Sequence, residues 1–187
     1  MDLLTIIIIA IALAMDSLSI SITKGFTIKN ISTMETLWVG FFFGFFQAFM
    51  PILGWISGVQ LQYFVSKVAP WLAFILLVAI GLKMIYESIT SDEEKTSYGQ
   101  FSFKEMTLLG IATSIDAFAV GVTFALLNTA IVIPIIIIGL VSFIFSVIGV
   151  GIGKKMGQFF GNKFEIVGGV VLIALGLKIL LDGLGLL

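Results

Sequence analysis

The stretch Ala112-Thr113-Ser114-Ile115-Asp116-Ala117-Phe118-Ala119-Val120-Gly121-Val122-Thr123 sets an aspartate inside an apolar run. A second stretch does the same near the start of the chain: Ala12-Leu13-Ala14-Met15-Asp16-Ser17-Leu18-Ser19-Ile20-Ser21-Ile22-Thr23. Each lies in a run long enough to cross a bilayer, which takes roughly 20 residues for about 30 Å of hydrocarbon. A carboxylate at that depth costs on the order of 2.5–3.5 kcal/mol on insertion scales. Two of them at matching places imply a shared task.

The 187 residues are 59% hydrophobic and only 11% charged, with a mean hydropathy of +1.20. A soluble domain of this length needs far more charge to cover its surface, whereas a membrane-embedded bundle turns an apolar exterior toward lipid. The formal net charge of −1 points to no polyanionic partner, and no basic, aromatic-interleaved patch suggests nucleic acid. Cysteine and histidine are both absent, which excludes disulfides, thiol redox chemistry and metal sites built on imidazole or thiolate. Any metal must be held by oxygen, with methionine sulfur as the one soft exception. No resident cofactor is implied.

Six apolar runs reach membrane length: Leu3 to Thr23, Met34 to Gly58, Ala69 to Ile89, Glu105 to Leu127, Ile131 to Gly153 and Phe164 to Leu184. The plainly polar connection is Thr90 to Lys104, where Ser91-Asp92-Glu93-Glu94-Lys95 reads as a solvated loop. The predicted division is a first three-helix unit over 1–89, a polar cytoplasmic linker over 90–104 and a second three-helix unit over 105–187. Ala12-Leu13-Ala14 has the look of a signal-peptide cleavage site. The acidic Asp2 and the lack of lysine ahead of it, and the recurrence of the pattern at Ala112, mark this run instead as a retained helix.

An internal repeat decides the architecture. Ala12 and Asp16 match Ala112 and Asp116 at an offset of 100, while Gly44, Gly54 and Gly58 match Gly139, Gly149 and Gly153 at an offset of 95. Ala79-Ile80-Gly81-Leu82-Lys83 with Glu87 answers Ala174-Leu175-Gly176-Leu177-Lys178 with Asp182, again at 95. Each half is therefore three helices in one order. Because three is odd, the second half must enter the bilayer from the opposite face, as in many secondary transporters. The predicted fold is an all-α polytopic membrane protein of six transmembrane helices arranged as two inverted three-helix repeats.

Every basic residue is a lysine, and their placement orients the bundle. With both termini outside, Lys24, Lys29, Lys83, Lys95, Lys104, Lys154, Lys155 and Lys163 fall on or near the cytoplasmic side, against Lys67 and Lys178 outside.

At about 1.5 Å per residue both aspartates sit near mid-depth, and inversion lets them face each other across the axis. By helical spacing Asp116 shares a face with Thr113, Val120 and Thr123, and Asp16 shares one with Ala12, Ser19, Ile20 and Thr23. The other reading is an aspartate that merely hydrogen-bonds a neighbouring helix. Pro51, within Phe45-Phe46-Gln47-Ala48-Phe49-Met50-Pro51, has no N–H to offer and crowds the Gln47 carbonyl four residues earlier. Gln47 thus presents a freed carbonyl and an amide oxygen at mid-membrane, tolerated only against protein or a wet cavity. A plain packing kink is the alternative. Two carboxylates with amide and carbonyl oxygens suit Mg²⁺, Ca²⁺ or Mn²⁺ rather than Zn²⁺ or Cu⁺. In the second half Ser142 stands at the position of Gln47 and Ser146 at that of Pro51, which predicts an asymmetric site.

Lys83 with Glu87 and Lys178 with Asp182 are i, i+4 pairs near helix ends. They read as salt-bridged residues snorkelling to the interface, with gating or proton movement as the other reading. Glycines four apart, Gly54 with Gly58 and Gly149 with Gly153, predict close helix contact.

Met15-Asp16-Ser17-Leu18-Ser19-Ile20-Ser21, Ile115-Asp116-Ala117-Phe118-Ala119-Val120-Gly121, Gly44 with Gln47, Pro51 and Gly54, and Gly81-Leu82-Lys83 followed by Glu87 resemble the bacterial manganese efflux pump family (MntP) over nearly the whole chain. The resemblance implies export of Mn²⁺ across the inner or plasma membrane, within the LysE-type exporter superfamily, with Asp16 and Asp116 at the family's acidic positions. The first copy departs from the pattern, carrying Ser17, Leu18 and Ser19 where Ala-Phe-Ala is more usual. Relatives with Glu in place of Gln47 would have one carboxylate more.

No Walker-type glycine-rich loop followed by Lys-Ser/Thr occurs, so a proton gradient or the membrane potential is the expected driving force. Export of another divalent or small organic cation is the nearest alternative. An intramembrane aspartyl protease also needs paired aspartates, but its Tyr-Asp and Gly-x-Gly-Asp contexts are missing, since Met15 precedes Asp16 and Ser114-Ile115 precede Asp116. The expected partners are a divalent metal ion as substrate and the lipid bilayer.

Overall fold

In the computed structural model, residues 1–28, 30–65, 69–90, 101–156 and 161–184 are described, some of them, Glu87 and Asp182 included, by their backbone alone. The apolar runs become helices because a backbone without water must satisfy its own hydrogen bonds. In chain order these are α1 (Leu3–Thr27), α2 (Thr33–Val65), α3 (Ala69–Thr90), α4 (Phe103–Thr113), α5 (Ile115–Leu126), α6 (Val132–Met156) and α7 (Gly161–Gly183).

Among the described residues four stretches are long and apolar enough to cross a membrane: Leu3–Thr27, Thr33–Gln60, Phe103–Leu126 and Val132–Lys155. Helices α3 and α7 carry shorter apolar stretches, Trp71–Lys83 and Val170–Leu181. The chain is thus a multi-pass membrane protein of helices. The linker expected over 90–104 lies largely outside the described residues; its last part caps α4, where the Ser102 hydroxyl accepts from the Glu105 N–H at 3.5 Å.

Local signals set the helix ends. Before α2, the Ser32 N–H donates to Glu35 at 2.7 Å and the Glu35 N–H to the Ser32 hydroxyl at 3.2 Å, a reciprocal capping box. The α1–α2 and α5–α6 turns pass through Asn30 and Asn128, with φ of 56° and 53°. Asparagine is one of the few residues that visits this left-handed region readily. At the second turn the N–H groups of Asn128 and Thr129 close onto the carbonyls of Ala125 and Phe124, which ends α5.

One expected helix is not continuous. The span predicted over Glu105 to Leu127 divides at Ser114 into α4 and α5. The bonds at the break are i to i−3 rather than i to i−4: the Thr113 hydroxyl donates to the Gly110 carbonyl at 3.2 Å, and the Ser114 hydroxyl and N–H both donate to the Ile111 carbonyl, at 3.0 and 3.2 Å. Hydroxyls that turn back on the helix in this way compete with its own ladder. At the matching positions of the first half stand Leu13 and Ala14, which have no such group, and α1 runs unbroken.

Glycines let the helices approach. A β-carbon on Gly54 of α2 would stand 1.9 Å from the Phe118 carbonyl oxygen of α5, and one on Gly58 would stand 2.9 Å from that of Val122. With the halves exchanged, α6 does the same to α1: Gly149 faces the Leu18 carbonyl at 2.8 Å and Gly153 that of Ile22 at 2.0 Å. Gly44 and Gly139 meet each other between α2 and α6. Helix α3 packs on α7 to complete the set.

The surface is apolar and the polar groups lie inside. Along α6, Ile133, Ile136, Leu140, Ile144 and Ile148 all point outward, as do Phe41, Phe45, Phe49 and Leu53 along α2. Meanwhile Gln47, Ser17, Ser21, Thr113, Asp116, Thr123, Ser142 and Ser146 are buried.

Candidate metal-binding site

The break at Ser114 positions the acid. Asp116 is the second residue of α5, 5% exposed, in the first turn of a new helix. There the unpaired N–H groups favour a negative charge. Across from it the Lys83 ammonium of α3 donates to Asp116 Oδ1 at 2.9 Å. The sequence left Lys83 between an interfacial pair with Glu87 and a gate; its ammonium lies on the intramembrane carboxylate. The side chain of Glu87 lies outside the described residues, as does that of Asp182.

Gln47 is fully buried on α2, and its amide N–H donates to the Thr113 carbonyl, one of those freed at the break, at 3.3 Å. Pro51 sits inside α2, which continues through it as a helix. Its carbonyl lies 2.2 Å from where a β-carbon on Gly121 of α5 would be, so proline and glycine bring α2 onto α5 beside Asp116.

The break falls within the predicted stripe Thr113–Asp116–Thr123, whose three members are all buried. Thr113 belongs to α4 and Asp116 to α5, so the helical register between them is interrupted. Thr123 is fully buried, and its hydroxyl donates to the Ala119 carbonyl at 3.2 Å.

Asp16 is half-buried on the continuous α1. Ala12 and Leu13, one turn before it, belong to one apolar cluster with Ala117 and Val120 of α5, Leu77 and Ile80 of α3, and Leu172 and Leu175 of α7. The spans that carry Asp16 and Asp116 and the helices that carry Lys83 and Lys178 therefore share a core. Ser19, also on α1, is buried, and its carbonyl accepts from the Thr23 hydroxyl at 3.4 Å. At the N-terminal end of α1 the Thr5 hydroxyl, and more weakly the charge of Lys178, hold the Asp2 carboxyl below its ordinary value.

Several oxygens have no protein partner. Gln47 Oε1 and the hydroxyls of Ser17, Ser21, Ser142 and Ser146 are buried without a hydrogen bond. An unpaired buried polar group is costly, on the order of 1–3 kcal/mol, so each calls for a ligand or water. All are hard oxygen donors. No cluster of three or more acidic side chains occurs among the described residues, so a metal here would be held by few charges and many neutral oxygens. Sequence reading singled out neither Ser114 nor the unpartnered Ser17 and Ser21. The Thr113-Ser114 doublet was the available signal for the break.

A multi-pass membrane protein, helical in its described spans, with a lysine–aspartate pair and oxygen-bearing groups in its interior has the design of a transporter of small cations. The family model described as "Putative manganese efflux pump" matches residues 30–180. Proteins described by the same words and called MntP are similar over nearly their full length. That of Methanosphaera stadtmanae is 63% identical, covering 96% of this chain and 99% of its own. That of Methanobrevibacter smithii is 62% identical, covering 96% and 97%, and that of Methanothermobacter thermautotrophicus 52%, covering 97% of each. The chain belongs to this manganese efflux pump family, a family of transporters and not of enzymes. No solved structure matches.

Proposed function

We propose that the protein exports Mn²⁺ from the cytoplasm through a site formed by Asp16, Asp116 and Gln47. The observation that carries this reading is the lysine-paired carboxyl group of Asp116 at the start of a half-helix, with the unpartnered oxygens of Gln47 and Ser142 in the same interior. Hard oxygens with one or two carboxylates fit a small divalent ion that keeps part of its water shell. The names of the relatives single out manganese.

In this reading the six helical spans form two inverted repeats. The exchanged glycine contacts, Gly54 on Phe118 and Gly149 on Leu18, support it. Both termini face outward, α3 and α7 cross the membrane despite their shorter apolar stretches, and Asp16 approaches Asp116 across the axis. Ser19, Thr113, Thr123 and Ser142 line the path, while Lys178 and Asp182 lie toward the outer face. The driving force is a proton gradient or the membrane potential.

In an exporter-deficient cell Asp16→Asn and Asp116→Asn abolish manganese tolerance at unchanged protein abundance. Tolerance retained by both variants refutes the site. Uptake into inverted vesicles with competing Mg²⁺, Ca²⁺ and Fe²⁺ measures which ion is preferred.

A further inference from the structure

We propose that Lys83 is a tethered substitute for the transported ion: its ammonium occupies the metal's place on Asp116 in the empty carrier and is displaced when metal binds. This rests on the reading that Asp116 is a metal ligand. The ammonium donates to Asp116 Oδ1 at 2.9 Å, and the carboxylate is almost wholly buried while the lysine side chain is 43% exposed. The acid is therefore fixed and the cation is the part with room to leave.

The chemistry of the two partners fits the exchange. A lysine ammonium is a compact point charge on a four-carbon stem with many rotamers, so it can release one oxygen without moving its helix. A divalent ion and an ammonium cannot both take the same carboxylate oxygen at bonding distance. The carrier also has to move its site when no metal is present. A bare carboxylate in hydrocarbon is costly, and Lys83 supplies the missing positive charge from within the protein.

The test uses the full chain in detergent or nanodiscs, with Mn²⁺ alone as the probe. If the ammonium holds Asp116 about nine-tenths of the time, its removal tightens the apparent affinity about tenfold. Lys83→Met should thus bind Mn²⁺ about tenfold more tightly, yet empty proteoliposomes more slowly, because the unloaded site has lost its internal cation. Lys83→Arg, which keeps the charge and grips a carboxylate with two N–H groups, should bind no tighter than the unaltered chain. Should Lys83→Met fold poorly, the native chain gives a second reading: an amine-reactive label should modify Lys83 faster when Mn²⁺ is saturating. Unchanged or weaker Mn²⁺ binding in Lys83→Met, or labelling that does not respond to Mn²⁺, overturns the proposal. Asp116→Asn separates the two levels. If it loses Mn²⁺ binding while Lys83 has no effect, only the exchange fails; if it binds Mn²⁺ normally, the site itself is wrong and the exchange falls with it.

Discussion

At the scale of single residues, Gln47 does two things at once. Its amide N–H closes the carbonyl that Thr113 loses to the helix break, and its amide oxygen is left unpartnered in the interior. Replacement by leucine keeps the bulk but strands the Thr113 carbonyl, at a cost on the order of 1–3 kcal/mol. Gln47→Leu should therefore lower the unfolding free energy in detergent by about that amount and weaken Mn²⁺ binding as well. A variant as stable as the parent would show that the carbonyl finds another partner. The sequence made Gln47 conspicuous through Pro51, four residues on. The bond that matters goes to the second half of the chain, and no spacing within α2 could have revealed it.

At the scale of helices, contact is set by glycine rather than by interlocking large side chains. A β-carbon on Gly54 or Gly153 would fall 1.9 or 2.0 Å from a backbone oxygen of the facing helix, and backbone cannot turn aside as a side chain can. Gly54→Ala and Gly153→Ala should each destabilise the bundle, by about 1–3 kcal/mol as overpacking generally does. Gly151 on α6 meets nothing within 4 Å. There alanine should be neutral, or stabilising by up to about 1 kcal/mol through helix propensity. Thermal unfolding of the three variants checks the contrast, and equal effects would remove the close-contact account. Such glycines were legible in the sequence because their four-residue spacing survives in both halves. The division into α4 and α5 was missed because hydropathy counts threonine and serine as tolerable in a span and says nothing about where their hydroxyls turn.

For the molecule as a whole, orientation and inversion can be tested together, because the chain has no cysteine of its own. Asn30 and Asn128 occupy equivalent turns, after α1 and after α5. If the halves are inverted with both termini outside, Asn30→Cys reacts with an impermeant thiol reagent only from the cytoplasmic side and Asn128→Cys only from outside. Labelling of both from one side would rule out inverted repeats. The broad plan was readable because lipid enforces it: apolar length sets the spans, and carboxylates are kept in hydrocarbon only for a purpose. The ion pair between Lys83 and Asp116 was not, since the partners lie in different halves and only packing of α3 against α5 brings them together.

The interruption at Ser114 also sets the two acid-bearing stretches apart. A tandem of the first half with itself would keep an acid in each copy, but neither would head a new helix, and Leu13 with Ala14 would stand where Thr113 and Ser114 turn the chain. The two acids therefore stand in different backbone settings, Asp16 within a continuous helix and Asp116 at the head of one.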